Sequence, residues 1–349
     1  MSTLQTSSMD QQPKTRQPGQ PLSPGPVLLA GLLLMVGAAL ASLCFGAASF
    51  TPGQLLAALM GRGEDAALRI LLYVRLPRTL ATLLAGSALA VAGVVIQGVL
   101  GNPLASPGVI GVNAGAGFAV ALVCALVPSG ARLMAPAAFA GALGAVLLVY
   151  GIGHATGASR STVILAGVAV SGILSAGIDA VVTLVPDALP GSSLFRIGGV
   201  AGVTMTAIFP QGYLMLGALL GVFLLRCELD LLALGAETAQ SLGLRVPLCR
   251  FVLLVLAALL AGSAVSFSGL LGFVGLLVPH ISRRLVGTQS LVLLPCATVL
   301  GAAFLTGCDL LARLLFAPFE LPVGLVLSLL GGPFFLWLLL RQKRRVRHD

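Results

Sequence analysis

The chain has 349 residues, 58% hydrophobic and only 9% charged, with a mean hydropathy of +1.06. A soluble domain carries about a quarter charged residues, so this composition excludes a mainly water-bathed surface and makes lipid the principal solvent. The formal charge of +9 does not point to nucleic acid, because the basic residues lie in short clusters between apolar stretches, as in membrane loops.

Residues 1–26 are rich in Pro, Gln and Ser and read as a disordered polar tail. The apolar run from Val27 to about Ser49 is too long for a signal-peptide core and right for a span, so no cleavage is expected. Apolar runs of about 18–23 residues suffice to cross the hydrocarbon. They predict an all-α polytopic membrane protein with about ten transmembrane helices, near 27–49, 78–100, 108–128, 135–155, 162–185, 209–226, 249–268, 270–286, 291–313 and 322–340. The seventh and eighth meet at the Gly-rich stretch Ser268–Gly272. The transmembrane domain is thus 27–341, interrupted by a loop at 227–248 and followed by a basic tail at 342–349.

Orientation follows from Lys and Arg. With the N-terminus cytoplasmic, thirteen basic residues fall inside, including Arg160, Arg226, Arg245, Arg283 and the Arg341–Arg347 cluster. Seven fall outside: Arg62, Arg69, Arg75, Arg78, Arg132, Arg196 and Arg313. Both termini are then expected in the cytoplasm. The chain also holds an internal repeat. Ala85-Gly86-Ser87-Ala88 recurs as Ala261-Gly262-Ser263-Ala264, and at the same offset of 176 Gly93 matches Gly269, Pro103 matches Pro279 and Gly111 matches Gly287. Five spans separate the copies, so they run in opposite directions, and inverted repeats are a transporter signature.

The loop between spans six and seven is predicted to hold a short helix over Ala236–Leu242, with Glu237, Gln240 and Ser241 polar and Gly243 as its C-terminal cap. Leu231, Leu232, Leu234, Leu242 and Leu244 are expected to leave apolar surface facing the cytosol. Such surface marks a partner site or a helix lying on headgroups. Energy must come from elsewhere. The only lysines, Lys14 and Lys343, do not follow glycine, so no P-loop cradles nucleotide phosphates.

The exterior arginines Arg75, Arg78 and Arg313 call for a reason. Guanidinium forks suit carboxylate partners; headgroup anchoring, or for Arg313 an i,i+4 pair with Asp309, is the alternative. Asp179 and Asp309 are acids within or near the ends of spans, which often mark pathways or proton relays. Asp309 has Arg313 as a local partner, whereas Asp179 has none in view. The six cysteines (44, 124, 227, 249, 296 and 308) are scattered and read as small buried hydrophobes. No acid pair, triad or metal-ligand cluster appears, so neither catalysis nor a metal is expected in this chain.

Several stretches resemble the FecCD-type permeases, the membrane subunits of type II ABC importers for iron-siderophores, haem and cobalamin. They are RLPRTLATLLAGSALAVAGVVIQGVLGNPLASPGVIGVNAGA (75–116), LAGVAVSG (165–172), LALGAETAQSLGL (232–244), SGLLGFVGLLVPHISRRLVG (268–287) and CDLLARLLFAPFELPVGLVLSLLGGPFFLWLLLR (308–341). The resemblance implies a permease fold of ten spans with inverted repeats, in a homodimer whose pathway follows the two-fold axis. It also implies a bacterial inner-membrane location. Two cytosolic ATPases would dock on the loop matching Ala236, Glu237, Thr238, Gln240, Ser241, Leu242, Gly243 and Leu244. A periplasmic or lipid-anchored binding protein would present glutamates to Arg75, Arg78 and Arg313. Asn113 and the Ser159-Arg160-Ser161 loop match regions of the cytoplasmic gate. No cofactor is implied in this chain, since ATP and magnesium would sit on the ATPase. The expected cargo is an iron-siderophore or similar metal chelate, with haem or cobalamin on the same machinery as the alternative. A proton-coupled secondary transporter using Asp179 and Asp309 is the rival from another class. The sequence departs from the family at Phe195–Gly202, where many relatives carry tryptophans and this chain has none; its sole tryptophan is Trp337.

Overall fold

The computed structural model describes residues 22–46, 51, 53–54, 57, 60, 65–127, 130–156, 160–317 and 319–346. Its regular elements are helices. In chain order they are α1 Pro24–Cys44, α2 Asp65–Ile70, α3 Leu76–Leu100, α4 Val112–Leu126, α5 Ala131–Ala155, α6 Arg160–Leu184 and α7 Leu189–Ile197. Then come α8 Met205–Leu224, α9 Arg226–Ala233, α10 Ala236–Ser241, α11 Val246–Ser268, α12 Val274–Val286, α13 Ser290–Leu314 and α14 Val323–Val346.

Among the described residues, seven helices are long and apolar enough to cross a membrane, and Val112–Leu126 and Val323–Trp337 are shorter apolar ones. With α12 they account for the ten expected spans. α12 has 13 residues and so reaches only about 20 Å. The rest of its crossing is the non-helical stretch 269–273. Backbone at that depth persists only where its polar groups find partners. Here the Leu270 N–H donates to the Phe195 carbonyl at 3.0 Å, and the Gly199 N–H donates to the Ser268 carbonyl at 2.8 Å. Phe195 lies in the last turn of α7 and Gly199 just beyond its end, and the sequence reading leaves that helix as loop. The Gly324 N–H, at the start of α14, donates to Gly198 O at 3.1 Å. The tryptophan-free 195–202 segment is therefore a brace between the α11–α12 corner and α14.

The second span also differs from expectation. Expected near 78–100, it starts earlier: a continuous helical stretch runs from Ala66 to Leu100, with a π-helical turn at Leu71–Arg75. The ring of Pro77 cannot donate to the carbonyl four residues back and crowds it, and a widened turn just before the proline relieves that clash.

α3 is the axial helix, buried along nearly all its length from Pro77 to Leu100. Lipid-embedded helices gain little by hiding apolar surface, so close approach through small residues carries their association. A side chain at Gly86 would collide with the Gly301 backbone of α13, and one at Gly93 with Gly275 of α12. The repeat partner of Gly86 is Gly262 on α11, where an added Cβ would meet Ala142 of α5 at 3.3 Å. Thus α3 rests on α13 and α11 on α5 through the same glycine of the repeated motif. The end of α3 at Leu100 shares a cavity wall with Pro247 and Arg250 at the start of α11. The two copies run antiparallel, as inverted repeats require.

Candidate functional site

The helices alternate between a near face, where α1 starts, and a far face, where α1 ends. The three arginines singled out by the sequence gather at the far face. Arg75 donates through Nη1 to the Cys44 carbonyl at 2.7 Å and to the Leu43 carbonyl. Arg313 donates to the Phe45 carbonyl at 3.1 Å and to Ser42 Oγ at 2.8 Å. Both guanidiniums thus cap the C-terminal end of α1, where carbonyls lack intrahelical donors and the helix dipole favours cations. Arg78 places Nε 3.0 Å from Asp309 Oδ2 and Nη2 3.0 Å from Asp309 Oδ1, a bidentate fork. Its Nη1 lies 2.6 Å from Glu320 Oε2. The local pair expected between Arg313 and Asp309 is present, with Nε to Oδ2 at 3.2 Å.

Arg75, Arg78, Arg313 and Asp309 are each no more than 7% exposed. The cluster therefore ties α1, α3 and α13 together as well as marking the far face. Of the groups around Arg78, Glu320 is the one open to solvent, with a side chain 37% exposed. Glu320 escaped the sequence reading because it lies 242 positions from its partner in an irregular turn. Asp179, expected to be without a partner, lies 3.7 Å from Arg196 of α7. Its side chain is 74% exposed on a wall of α6 that presents Gly172, Ser175 and Thr183 alongside the exposed Leu165 and Val168.

The near face carries the loop. α10 forms where expected and ends in a Schellman motif: Gly243 has φ +89, its N–H donates to Gln240 O at 2.9 Å, and Leu244 N–H donates to Ala239 O at 3.0 Å. Glu237, Thr238, Gln240, Ser241, Leu242 and Gly243 are exposed, while Ala236 and Leu244 are half-buried. The apolar surface is smaller than expected. Leu234 and Leu242 are exposed, but Leu232 is buried and Leu231 is half-buried. The reason is α9, an unforeseen helix that turns Leu229 and Leu232 inward.

α9 is held on three sides. Leu229 packs against Gly98 of α3, where a Cβ would approach it to 2.7 Å. Arg160, the first residue of α6, donates through Nη2 to the Leu232 carbonyl at 2.8 Å. The Asp230 carboxylate accepts the Ser290 N–H at 2.9 Å. Of the expected gate residues, Arg160 is thus joined to the loop and also lies against Gly101, whose φ of +58 and lack of a side chain leave room for the guanidinium. Asn113 is half-buried in the first turn of α4 beside Gly108. Ser161 is exposed in the first turn of α6, and Ser159 lies outside the described residues. Gln97, a lone amide in an apolar span, accepts from Arg283 and donates to Gly275 O at 3.4 Å. A polar side chain inside a span is a signal that could have singled it out. Among the described residues no group of three or more His, Cys, Asp or Glu could hold a metal.

Similar proteins give this geometry a family. The profile of the FecCD transport family matches residues 33–341. The hemin transport system permease protein HmuU of Yersinia pestis is 38% identical, over 81% of this chain and 86% of that protein. The Fe(3+)-citrate import system permease protein YfmE of Bacillus subtilis is 34% identical, over 95% and 98%. The vitamin B12 import system permease protein BtuC of Salmonella typhi is 38% identical, over 91% and 95%. A metal-chelate-type ABC transporter solved in an inward-facing conformation superposes with a TM-score of 0.82 at 29% identity, covering 90% of this chain and 99% of that one. With a matching profile over most of its length and relatives aligned nearly end to end, the chain belongs to the FecCD transport family.

Proposed function

We propose that this chain is the membrane-spanning permease of an ATP-driven importer that carries an iron-siderophore or similar metal chelate across a bacterial inner membrane. One observation carries the reading: relatives aligned over most of the chain are permeases of ferric-citrate import, hemin transport and vitamin B12 import systems, and the sequence has no phosphate-binding loop of its own. ATP hydrolysis belongs to separate cytosolic subunits, two per assembly, seated on the 236–244 loops of a homodimer. The exposed Leu234 and Leu242 beside polar Glu237 and Gln240 suit such a partner, since a docking patch combines apolar anchors with a polar rim. The near face is then cytoplasmic, with both termini.

At the far face a binding protein presents carboxylates to the cluster of Arg75, Arg78 and Arg313. Glu320 already occupies one fork of Arg78, so docking exchanges an internal carboxylate for an external one. Asn113, Ser159, Arg160 and Ser161 line the cytoplasmic gate. The α6 wall carrying Gly172, Ser175, Asp179 and Thr183 suits a wet pathway better than lipid, because an exposed carboxylate is expensive in hydrocarbon. The proton-coupled alternative fits less well, since Asp309 is enclosed between two guanidiniums and Asp179 faces Arg196. Proteoliposomes holding the permease, its ATPase and its binding protein test the substrate. ATP-dependent accumulation of ferric siderophores supports this reading, whereas accumulation of haem or cobalamin alone replaces the cargo.

A further inference from the structure

Both α3 and α13 meet the two candidate sites: α3 reaches α9 through the Gly98–Leu229 packing contact, and α13 through a directional hydrogen bond. The far end of α13 carries Asp309 and Arg313, the centre of the arginine cluster. Its near end begins at Ser290, and the N-cap residue Gln289 supplies no side-chain hydrogen bond. The first turn of a helix has N–H groups without intrahelical acceptors. Here an acceptor comes from another element: Asp230 of α9 sets Oδ1 2.9 Å and Oδ2 3.3 Å from the Ser290 nitrogen. Ser290 is only 2% exposed, so little solvent competes for that N–H. A carboxylate also complements the positive end of the helix dipole. The contact joins residues 60 positions apart and links α13 to the segment that carries the 236–244 loop.

The other contacts of α9 differ in kind. Leu229 against Gly98 is an undirected packing contact, and Arg160 reaches the Leu232 carbonyl from a long flexible side chain. Asp230 is short and directional. It borders a cavity of about 200 Å³, lined in part by Gln97, Asn102, Arg283 and Thr288, which leaves space for α9 to shift without first expelling packed side chains.

We propose that Asp230 is the positioning residue through which the 226–244 segment moves α13, making α13 a strut between the loop and the arginine cluster. With 25 residues, α13 is about 37 Å long and spans both faces. The inference rests on the reading of 236–244 as the ATPase-facing loop.

The test uses the intact complex of permease and cognate ATPase in nanodiscs, with ATP and orthovanadate as the probe. Amide hydrogen exchange is read by mass spectrometry in 236–244 and in 309–317. Two variants cut the contact from opposite sides. Asp230→Ala removes the acceptor. Ser290→Pro removes the donor at the first helical position, where proline is favoured, and the Gln289 ψ of 121° already suits a following proline. In the wild type both segments change protection on trapping. Both variants keep the loop response and lose the far response at least fivefold, while Asp230→Asn, which retains an acceptor oxygen, recovers part of it. Should Asp230→Ala fail to fold, Ser290→Pro carries the same comparison. A wild-type-sized far response in the folded variants overturns the strut, and so does a wild type with no response at 309–317. An unresponsive 236–244 loop in the wild type overturns instead the docking reading on which the strut depends.

Discussion

Asp309→Asn isolates the structural share of the arginine cluster. Asp309 is wholly buried and meets two guanidiniums, Arg78 at 3.0 Å and Arg313 at 3.2 Å. An amide at this position keeps the shape and removes the counter-charge, leaving two buried cations facing a neutral group. Breaking a buried pair by neutralising one partner costs about 3–5 kcal/mol. Arg78 retains Glu320 and Arg313 retains Ser42, which places the expected loss in the lower half, at about 3–4 kcal/mol. That is roughly a 100- to 1000-fold shift towards the unfolded chain. The assay is equilibrium unfolding of the purified permease in bicelles. Glu320→Gln is the comparator; its partner contact is at the rim, with a 37% exposed carboxylate, and should lose no more than about 1 kcal/mol. Arg78→Leu combined with Asp309→Leu should lose less than the sum of the single variants, because the two share one contact. An Asp309→Asn permease as stable as the wild type would refute the claim that these groups hold α1, α3 and α13 together.

Three further outcomes follow from named contacts. Gly93→Val should block folding or assembly, since even a Cβ at that position runs into the Gly275 backbone of α12; Gly144→Ala, which meets nothing within 4 Å, should be neutral or slightly stabilising, and the yield of monodisperse protein separates them. Leu242→Glu combined with Leu234→Glu should reduce ATPase co-purification at least tenfold while membrane insertion stays unchanged, because both side chains are exposed on the loop. Asp179→Asn should leave uptake dependent on ATP and within about threefold of wild type, a loss of no more than about 0.7 kcal/mol; abolished uptake would restore the proton-coupled reading.

Hydropathy revealed the long membrane-crossing helices because lipid demands long apolar segments, a property visible residue by residue. The repeat was legible for a related reason: Gly86 and Gly262 face corresponding helices, α13 and α5, although the approach at Gly86 is much the closer, so small residues recur at the same offset. The Gly243 cap of α10 was legible too, since a left-handed residue after a short helix is a local requirement. What escaped was non-local. The Arg78–Asp309 pair spans 231 positions and the Asp230–Ser290 contact spans 60, and no periodicity records either. α9 escaped for another reason. Its eight residues are too few for a clear helical period, and only the tertiary structure decides that Leu232 turns inward while Leu234 faces out. The arginines were found by their breach of the positive-inside pattern, but their burial under the end of α1 depends on carbonyls that carry no sequence signal.

The most direct measurement is uptake of a radiolabelled ferric chelate into proteoliposomes carrying the permease, its binding protein and either an active or a hydrolysis-dead ATPase. Accumulation above the external concentration with the active ATPase alone is the expected result. Accumulation that persists with the dead ATPase, or that follows an imposed proton gradient in its absence, would contradict the proposed dependence on a separate ATPase.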